Sequence, residues 1–436
     1  MAGAATRIVA LAEETTGSPP PVRVRAWDGS EAGPESAPVL HVRRRRALRR
    51  VLWRPGELGL ARAWVAGEIT VEGDLYEVLA RLAGLVWERD GALEEARPGR
   101  LALARDPAVR ARALRFARLA RPWPPPPPPP EEARPQRGLR HTLLRDRRAI
   151  SHHYDVGNEF YRLVLGPSMV YSCAYWTEGG TLEEAQRDKL DLICRKLALR
   201  PGQRLLDVGC GWGSLVLHAA REYGVRAVGV TLSREQATAA RKRVAEAGLA
   251  DLVDIRVEDY REVADGPYDA VASVGMAEHV GEERFREYAA TLHALLKPGG
   301  RLLNHQISRR PLADESRYEL DAFIDRYVFP DGELAPVGRT VTLLEGAGFE
   351  VRDQESLREH YALTLRAWVD NLRADAARAA RLSSPGRVRV WLLYMAASAL
   401  AFERNRIGVN QLLAVRTPED GVSGLPLRAR VWQPSA

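Results

Sequence analysis

The stretch RLLDVGCGWGS constrains the fold more than any other part of the chain. A short apolar run ends in Asp207 and is followed by three glycines at alternate positions: Gly209, Gly211 and Gly213. Glycine has no Cβ, so the backbone of such a strand-to-helix turn can touch a ligand. A dinucleotide-binding loop would place its third glycine one position later, where Ser214 stands. We therefore predict a ligand without a pyrophosphate.

Strands and helices alternate in the sequence on both sides of this turn. Apolar periodicity predicts strands at 204–208, 226–230, 253–257, 269–274 and 301–306. Helices are predicted at 214–223, 234–247 and 283–296. Repeated β-α units indicate an α/β fold with a parallel, doubly wound sheet. In such a sheet ligands bind at the carboxyl ends of the central strands.

A proline run, RPWPPPPPPPEEARP, divides the chain. Such runs form extended, semi-rigid spacers. We predict an N-terminal domain at 1–120, a Pro-rich linker at 121–137 and a catalytic domain at 138–436. The N-terminal region contains the basic segment HVRRRRALRRVLW. Two interpretations remain for its arginines, which are residues 43–46, Arg49 and Arg50. They attract the phosphates of lipid or nucleic acid, or they form a solvated charged face.

Composition indicates the compartment of the protein and the charge of its partners, but it does not identify a partner. The net charge of +7 favours anionic partners. The three cysteines do not form a disulfide framework, and none has zinc-type spacing, so we expect a reducing compartment. No signal peptide is apparent. The most apolar window, 390–402, is shorter than the roughly 20 residues of a membrane-spanning helix. We expect a cytoplasmic protein that touches the inner face of a membrane.

Several ordered segments resemble the cyclopropane-fatty-acyl-phospholipid synthases and the related mycolic acid methyltransferases. They are ISHHYDVGNEFYRLVLGPSMVYSCAYW, LLDVGCGWGS, VGVTLSREQ, VEDYRE, SVGMAEHVG, LLNHQIS, YVFPDGEL and HYALTLRAW. The resemblance spans about 150–415 and is weaker in the N-terminal region. It implies a seven-stranded, mostly parallel Rossmann-like methyltransferase sheet with an extra N-terminal α/β domain that docks on lipid.

The resemblance also implies S-adenosylmethionine as cofactor and assigns its contacts. Tyr171 and Ser172 match positions at the methionine end. The glycine loop passes beneath the cofactor with Asp207, Gly209, Cys210, Gly211 and Gly213. The ribose-side positions are Thr231, Leu232 and Gln236, which accounts for the missing acidic residue after the second strand. The adenine-side positions are Asp259, Tyr260 and Arg261.

The family's chemistry implies a second set of residues. A cis double bond in an acyl chain attacks the sulfonium methyl group, and the resulting carbocation loses a proton to a bound bicarbonate. The bicarbonate cage maps to Cys173, Glu278, His305, Ile307 and Tyr361. A buried anion needs hydrogen bonds, and the pocket must exclude water. Aromatic side chains that could stabilise the cation are Tyr175, Trp176, Tyr327, Phe329 and Trp368. Ser398 stands where some members carry a cysteine, so a nucleophilic cysteine is excluded there.

The residue types do not decide which modified fatty acid the reaction yields. Cyclopropane is the main interpretation. The alternative is a methylene group that a flavin- or NADPH-dependent reductase turns into a 10-methyl branch. Two other classes remain as rivals: an RNA or small-molecule methyltransferase, and a non-catalytic lipid-binding protein. We expect an unsaturated phospholipid as the partner and no nucleic acid, and a homodimer through the N-terminal region stays open.

Overall fold

The computed structural model describes residues 2–93, 107–121, 123–133 and 156–427. The chain forms two compact units, one of residues 1–134 with 384–400 and one of 135–383 with 401–436. The first division lies between residues 134 and 135, at the Pro-rich segment. The return of 384–400 to the first unit was not predicted, because a single helix carries no sequence mark of the unit that it joins.

The first unit is an α/β unit with a four-stranded sheet in the order β2-β1-β3-β4. β1 and β3 are parallel, and the other pairs are antiparallel. Its elements are α1 (Ala4–Thr16), β1 (Arg23–Ala26), β2 (Glu31–Ala32), β3 (Val39–Val42), α2 (Arg46–Trp53), α3 (Glu57–Val65), β4 (Ile69–Glu72), α4 (Leu75–Leu93) and α5 (Pro107–Ala120). Small and β-branched side chains from α1 and the strands form its core, among them Ala5, Val24 and Val42.

The basic segment of this unit is partly internal. Glu68 is buried and accepts hydrogen bonds from the guanidinium groups of Arg46 and Arg50. Arg50 is itself buried and also donates to the carbonyl oxygen of Pro127 at 2.6 Å. Arg50 therefore fits neither alternative, the phosphate-binding surface or the solvated charged face, because it is buried and its charge neutralises a buried carboxylate. Arg43 and Arg44 are exposed.

The second unit contains a seven-stranded sheet in the order β10-β11-β9-β8-β5-β6-β7. Its helices are α6 (Asn158–Leu165), α7 (Leu182–Lys196), α8 (Ser214–Tyr223), α9 (Arg234–Glu246), α10 (Ala277–Val280), α11 (Glu282–Leu295), α12 (Ala322–Tyr327), α13 (Val337–Glu345), α14 (Arg358–Ala374), α15 (Ala376–Leu382) and the end of α16 (Pro385–Glu403). Its strands are β5 (Arg204–Val208), β6 (Arg226–Thr231), β7 (Val253–Val257), β8 (Tyr268–Val274), β9 (Leu296–Arg309), β10 (Glu350–Ser356) and β11 (Ile407–Val415).

This sheet confirms the predicted fold class. Strands β9, β8, β5, β6 and β7 are parallel neighbours, and β11 runs antiparallel to both β9 and β10. The central strands are apolar on both faces because each face is covered by helices. Leu205 and Leu303 belong to the core on the face of α7 and α8, and Leu206 and Leu302 to the core on the other face.

None of the helices in the described part of the chain is both long and apolar enough to cross a membrane.

Candidate active site

A cavity lies at the carboxyl ends of β5, β6 and β8, where a doubly wound sheet binds its ligands. Most of the residues predicted for the cofactor line it together. They are Tyr171, Ser172, Asp207, Gly209, Cys210, Gly211, Thr231, Leu232, Gln236, Asp259 and Tyr260. Gly213 and Arg261 were predicted to contact the cofactor but lie outside the lining. Residues that the sequence analysis did not select also line it: Lys189, Glu258, Met276 and His279.

The glycine loop holds a conformation that side chains disfavour. Gly209, Gly211 and Gly213 have φ angles of 82°, 53° and 78°. The amides of Gly209 and Cys210 both donate to the carbonyl oxygen of Val230, which ties the loop to the end of β6. A Cβ on Gly213 would lie 3.2 Å from the Cβ of Ala240. Gly213 therefore allows close packing of α9, which explains why it is not part of the cavity wall.

The sequence has no acidic residue at the end of β6, and a neutral pair occupies that place. The Thr231 hydroxyl donates to the Gln236 side-chain oxygen at 2.9 Å, and both residues are buried. The Ser233 hydroxyl accepts from the backbone N–H of Gln236 and caps α9. Thr231 and Gln236 therefore present fixed polar groups at the cavity without a charge.

At the next strand end, a carboxylate and a tyrosine are held by one arginine. The Arg261 guanidinium donates to both Asp259 carboxylate oxygens, at 2.7 and 2.8 Å. It also lies 5.3 Å from the centroid of the Tyr260 ring. Arg261 thus orients Asp259 and Tyr260, which face the cavity, without facing it itself.

The predicted cage residues Glu278 and Ile307 are in direct contact. One Glu278 carboxylate oxygen accepts the backbone N–H of Ile307 at 2.7 Å. The other oxygen is inaccessible to water and has no hydrogen-bond partner among the described residues. Burial raises the pKa of Glu278 to about 7. This carboxyl group therefore exchanges a proton near neutral pH, as a general acid or base requires.

His305 is a second polar group with unmet hydrogen-bonding capacity. Both of its ring nitrogens are buried and lack a partner within the described part of the chain. Burial lowers the pKa of His305 to about 3, so the imidazole is neutral at pH 7. A neutral imidazole offers one donor and one acceptor. Buried polar groups are normally paired, so these nitrogens indicate a small polar guest.

Cys173 and Tyr361 meet at the backbone of Leu357. The Cys173 thiol contacts the Leu357 carbonyl oxygen at 3.6 Å, and the Tyr361 amide donates to the same oxygen at 3.0 Å. The Leu357 amide in turn donates to Val409, the cross-strand partner of Ile307. Burial raises the pKa of Cys173 well above its usual range, so Cys173 is a neutral thiol and a poor nucleophile.

Aromatic rings connect the cavity residues with the cage residues. Trp368 lies 5.4 Å from Tyr171 and 6.1 Å from Tyr361 by ring centroids. Phe329 stacks on Tyr171 at 6.5 Å and contacts His279 at 5.6 Å. Three of the other predicted aromatics are engaged elsewhere: Tyr175 stacks on His360, Trp176 donates to Thr364, and Tyr327 packs on Phe323.

The donors and acceptors in the cavity fit an adenosyl amino acid. The glycine loop leaves open space at Gly211, the ring of Tyr260 lines the cavity, and Asp207 and Lys189 supply opposite charges for an amino acid. Together with the order of the sheet, this arrangement defines the class of Rossmann-like methyltransferases.

Comparison with known proteins identifies the family within this class. The family model described as mycolic acid cyclopropane synthetase matches residues 141–412. A probable fatty acid methyltransferase of Mycobacterium tuberculosis is 44% identical over 425 residues, which is 95% of each chain. The cyclopropane-fatty-acyl-phospholipid synthase of Escherichia coli K12 is 38% identical over 270 residues, 62% of this chain and 68% of that protein.

The solved structure of mycolic acid cyclopropane synthase CmaA1, complexed with SAH and CTAB, is 34% identical with a TM-score of 0.59. The matched region covers 62% of this chain and 98% of the CmaA1 chain. The chain therefore belongs to the mycolic acid cyclopropane synthetase family, and the predicted family, fold and enzyme class are confirmed.

Proposed function

We propose that the protein transfers a one-carbon unit from S-adenosylmethionine to the cis double bond of an unsaturated phospholipid acyl chain, and that the product is a cyclopropane fatty acid. The observation that carries this proposal is the pair Glu278 and His305, in which one carboxylate oxygen and both ring nitrogens are inaccessible to water and have no hydrogen-bond partner among the described residues. A methyltransferase that modifies a nitrogen or oxygen atom does not need a dry base of this kind. Closing a carbon ring does, because the carbocation must lose a proton from carbon before water captures it.

In this proposal S-adenosylmethionine supplies the methyl group, and the residues of the chain bind and orient the reactants and hold the group that accepts the proton. The cavity residues hold the cofactor, with Ser172 and Asp207 at its methionine end and Tyr260 at its base. Trp368, Tyr171 and Phe329 exclude water and offer ring faces to a developing positive charge. The overall change adds CH2 across the double bond and releases one proton, which is taken up next to Glu278.

We further propose bicarbonate as the group that accepts the proton. The orphaned atoms fit it: one Glu278 oxygen and the two His305 nitrogens are inaccessible to water and have no hydrogen-bond partner among the described residues. Cys173 and Tyr361 are the other residues that the family resemblance assigns to this cage. In the structure Glu278 itself accepts the Ile307 N–H. A bound anion would share or take over this donor.

The proposed substrate requires the protein to work at a membrane surface on the cytoplasmic side. Exposed Arg43 and Arg44 in the first unit can attract anionic headgroups. Trp123 is 75% exposed and Trp53 46%, and tryptophan favours the headgroup region of bilayers. These features support a peripheral association.

The experiment is a product assay with purified full-length protein, methyl-labelled S-adenosylmethionine and vesicles of oleoyl phospholipid. Released fatty acids are analysed by mass spectrometry before and after mild hydrogenation. A one-carbon gain that resists reduction is expected. A gain that is readily reduced would replace cyclopropane by the methylene product and call for a reductase partner. Absence of any labelled lipid would contradict the proposal.

A further inference from the structure

Helix α7 carries two fully buried lysines in different electrostatic situations. Lys196 is ion-paired with Glu355, at 2.6 Å. Lys189, two turns earlier and 2% exposed, has the Ser172 hydroxyl at 2.9 Å as its only hydrogen-bond partner among the described residues. An ammonium group has three donors, and a buried charge without a counter-ion is costly. Two donors of Lys189 are therefore unfilled at the wall of the cofactor cavity.

The same helix fixes Ser172 from two sides. Gln186 donates its amide N–H to the Ser172 carbonyl oxygen at 3.0 Å, and Lys189 donates to the Ser172 hydroxyl. Ser172 lines the cavity where the methionine end of the cofactor is proposed to lie. Lys189 thus lies directly behind a residue of that subsite.

Asp207 provides the opposite charge without pairing directly with Lys189. Asp207 is buried at the end of β5 and also lines the cavity. Burial raises its pKa to about 7, and the charge of Lys189 opposes this rise. Burial lowers the pKa of Lys189 to about 8. Each charge is destabilised alone, and a ligand that carries both an ammonium and a carboxylate group would compensate both.

We propose that Lys189 binds the carboxylate of the cofactor's methionine portion, directly and through the Ser172 hydroxyl, while Asp207 faces the ammonium group. The inference rests on the proposed S-adenosylmethionine cofactor. The carboxylate is the only negative group of that molecule, so it is the only part that complements a buried lysine. Lys189 is accordingly a specificity residue that selects ligands with an intact amino acid.

The test compares two ligands by isothermal titration calorimetry on the full-length protein. One is S-adenosylhomocysteine, and the other is its decarboxylated analogue, 5′-deoxy-5′-(3-aminopropylthio)adenosine, which keeps the ammonium group. Wild type should prefer S-adenosylhomocysteine by about 10-fold or more. Lys189→Met should reduce this preference to less than about 3-fold. Asp207→Asn is the matched control: it should weaken both ligands and keep the preference, because both carry the ammonium group.

Equal weakening of both ligands by Lys189→Met would overturn the inference and leave the lysine a structural support for Ser172. If the methionine variant does not fold, the same comparison is made with Lys189→Gln, which keeps a donor without the charge. If neither variant folds, Lys189 is needed for stability and the inference is overturned. If wild type binds neither ligand, the cofactor proposal fails together with the inference. If the ligand preferences are as expected but no lipid product forms, only the proposed reaction fails.

Discussion

At the scale of single residues, three buried side chains with unmet hydrogen-bonding capacity lie at or beside the predicted cage. Glu278 and His305 were selected from the sequence, but Gln411 was not. Gln411 is fully buried, and neither atom of its amide has a partner among the described residues. It is the direct cross-strand neighbour of His305, so both side chains share one face of the sheet. The sequence could not reveal this because strand pairing alone brings the two residues together.

Replacing Gln411 by leucine should increase the free energy of unfolding by about 1 kcal/mol or more, since an unsatisfied buried amide is removed. Urea denaturation of the full-length protein measures this. Gln306→Leu is a matched contrast from β9. The Gln306 amide is satisfied by Asn304 and Thr340, so its loss should be destabilising. Equal destabilisation by both changes would contradict the prediction.

Replacing Glu278 by glutamine should lower lipid product formation by about 100-fold or more, because the carboxyl group that would hold the proposed bicarbonate is lost. Affinity for S-adenosylhomocysteine should stay within about 3-fold, since Glu278 does not line the cofactor cavity. Glu283→Gln, an exposed change at the start of α11, is the control and should keep activity. Radiolabel transfer and calorimetry provide the two measurements, and a parallel loss of both would refute the assignment.

The pH dependence of stability offers an independent check on Glu278. Its pKa is about 7 in the folded protein and near 4.5 when unfolded. The folded state therefore binds the proton more tightly, and the stability associated with the carboxyl group is lost as the pH rises from 4.5 through 7. Glu278→Gln removes this loss. The stability of the variant relative to wild type should increase by about 1–3 kcal/mol between pH 5 and 8. A constant difference would show that the carboxyl group is not perturbed.

At the scale of elements, β5, α8 and β7 have the bounds that apolar periodicity predicts, because each has a strong pattern and clear ends. β9 begins five residues earlier than predicted, because Leu296 pairs with Tyr268 of β8 before the Pro-Gly-Gly turn, which interrupts the register until pairing resumes at Arg301. The edge strand β10 has few apolar residues at alternate positions, so the sequence did not predict it. It forms because it pairs with β11. Lys189 was not selected from the sequence because a lysine in an amphipathic helix is expected to face solvent. Only the tertiary fold buries it.

Two glycines of one loop should respond differently to alanine. Gly213→Ala places a Cβ against Ala240 and forces a left-handed residue, so it should cost about 1–2 kcal/mol of stability with little change in ligand affinity. Gly211→Ala also forces a left-handed residue, at φ 53°, but its Cβ enters open space at the cavity wall, where the cofactor is proposed to lie. It should lower affinity for S-adenosylhomocysteine by about 10-fold or more. Thermal unfolding and calorimetry separate the two effects, and the reverse pattern would contradict the roles assigned here.

At the scale of the whole molecule, the proposed membrane association can be tested with variants of exposed arginines in the first unit. Arg43→Ser with Arg44→Ser should lower binding to anionic vesicles by about 30-fold, because each surface arginine contributes about 1 kcal/mol. Arg46 and Arg50 are left in place because they hold Glu68. Arg310→Ser with Arg404→Ser removes the same charge from exposed positions of the second unit. Co-sedimentation that is equal for neutral and anionic vesicles, or equal for the two double variants, would contradict the proposal.

The two units are interleaved along the polypeptide. Residues 384–400 of α16 complete the first unit, where the Trp64 indole donates to the Arg389 carbonyl oxygen and the Arg389 guanidinium to that of Val65. During synthesis on the ribosome, this segment emerges only after most of the seven-stranded sheet has been made. The unit that begins the chain therefore cannot be finished until nearly the whole chain has been translated, and a nascent chain cut at the Pro-rich segment carries it without its final helix.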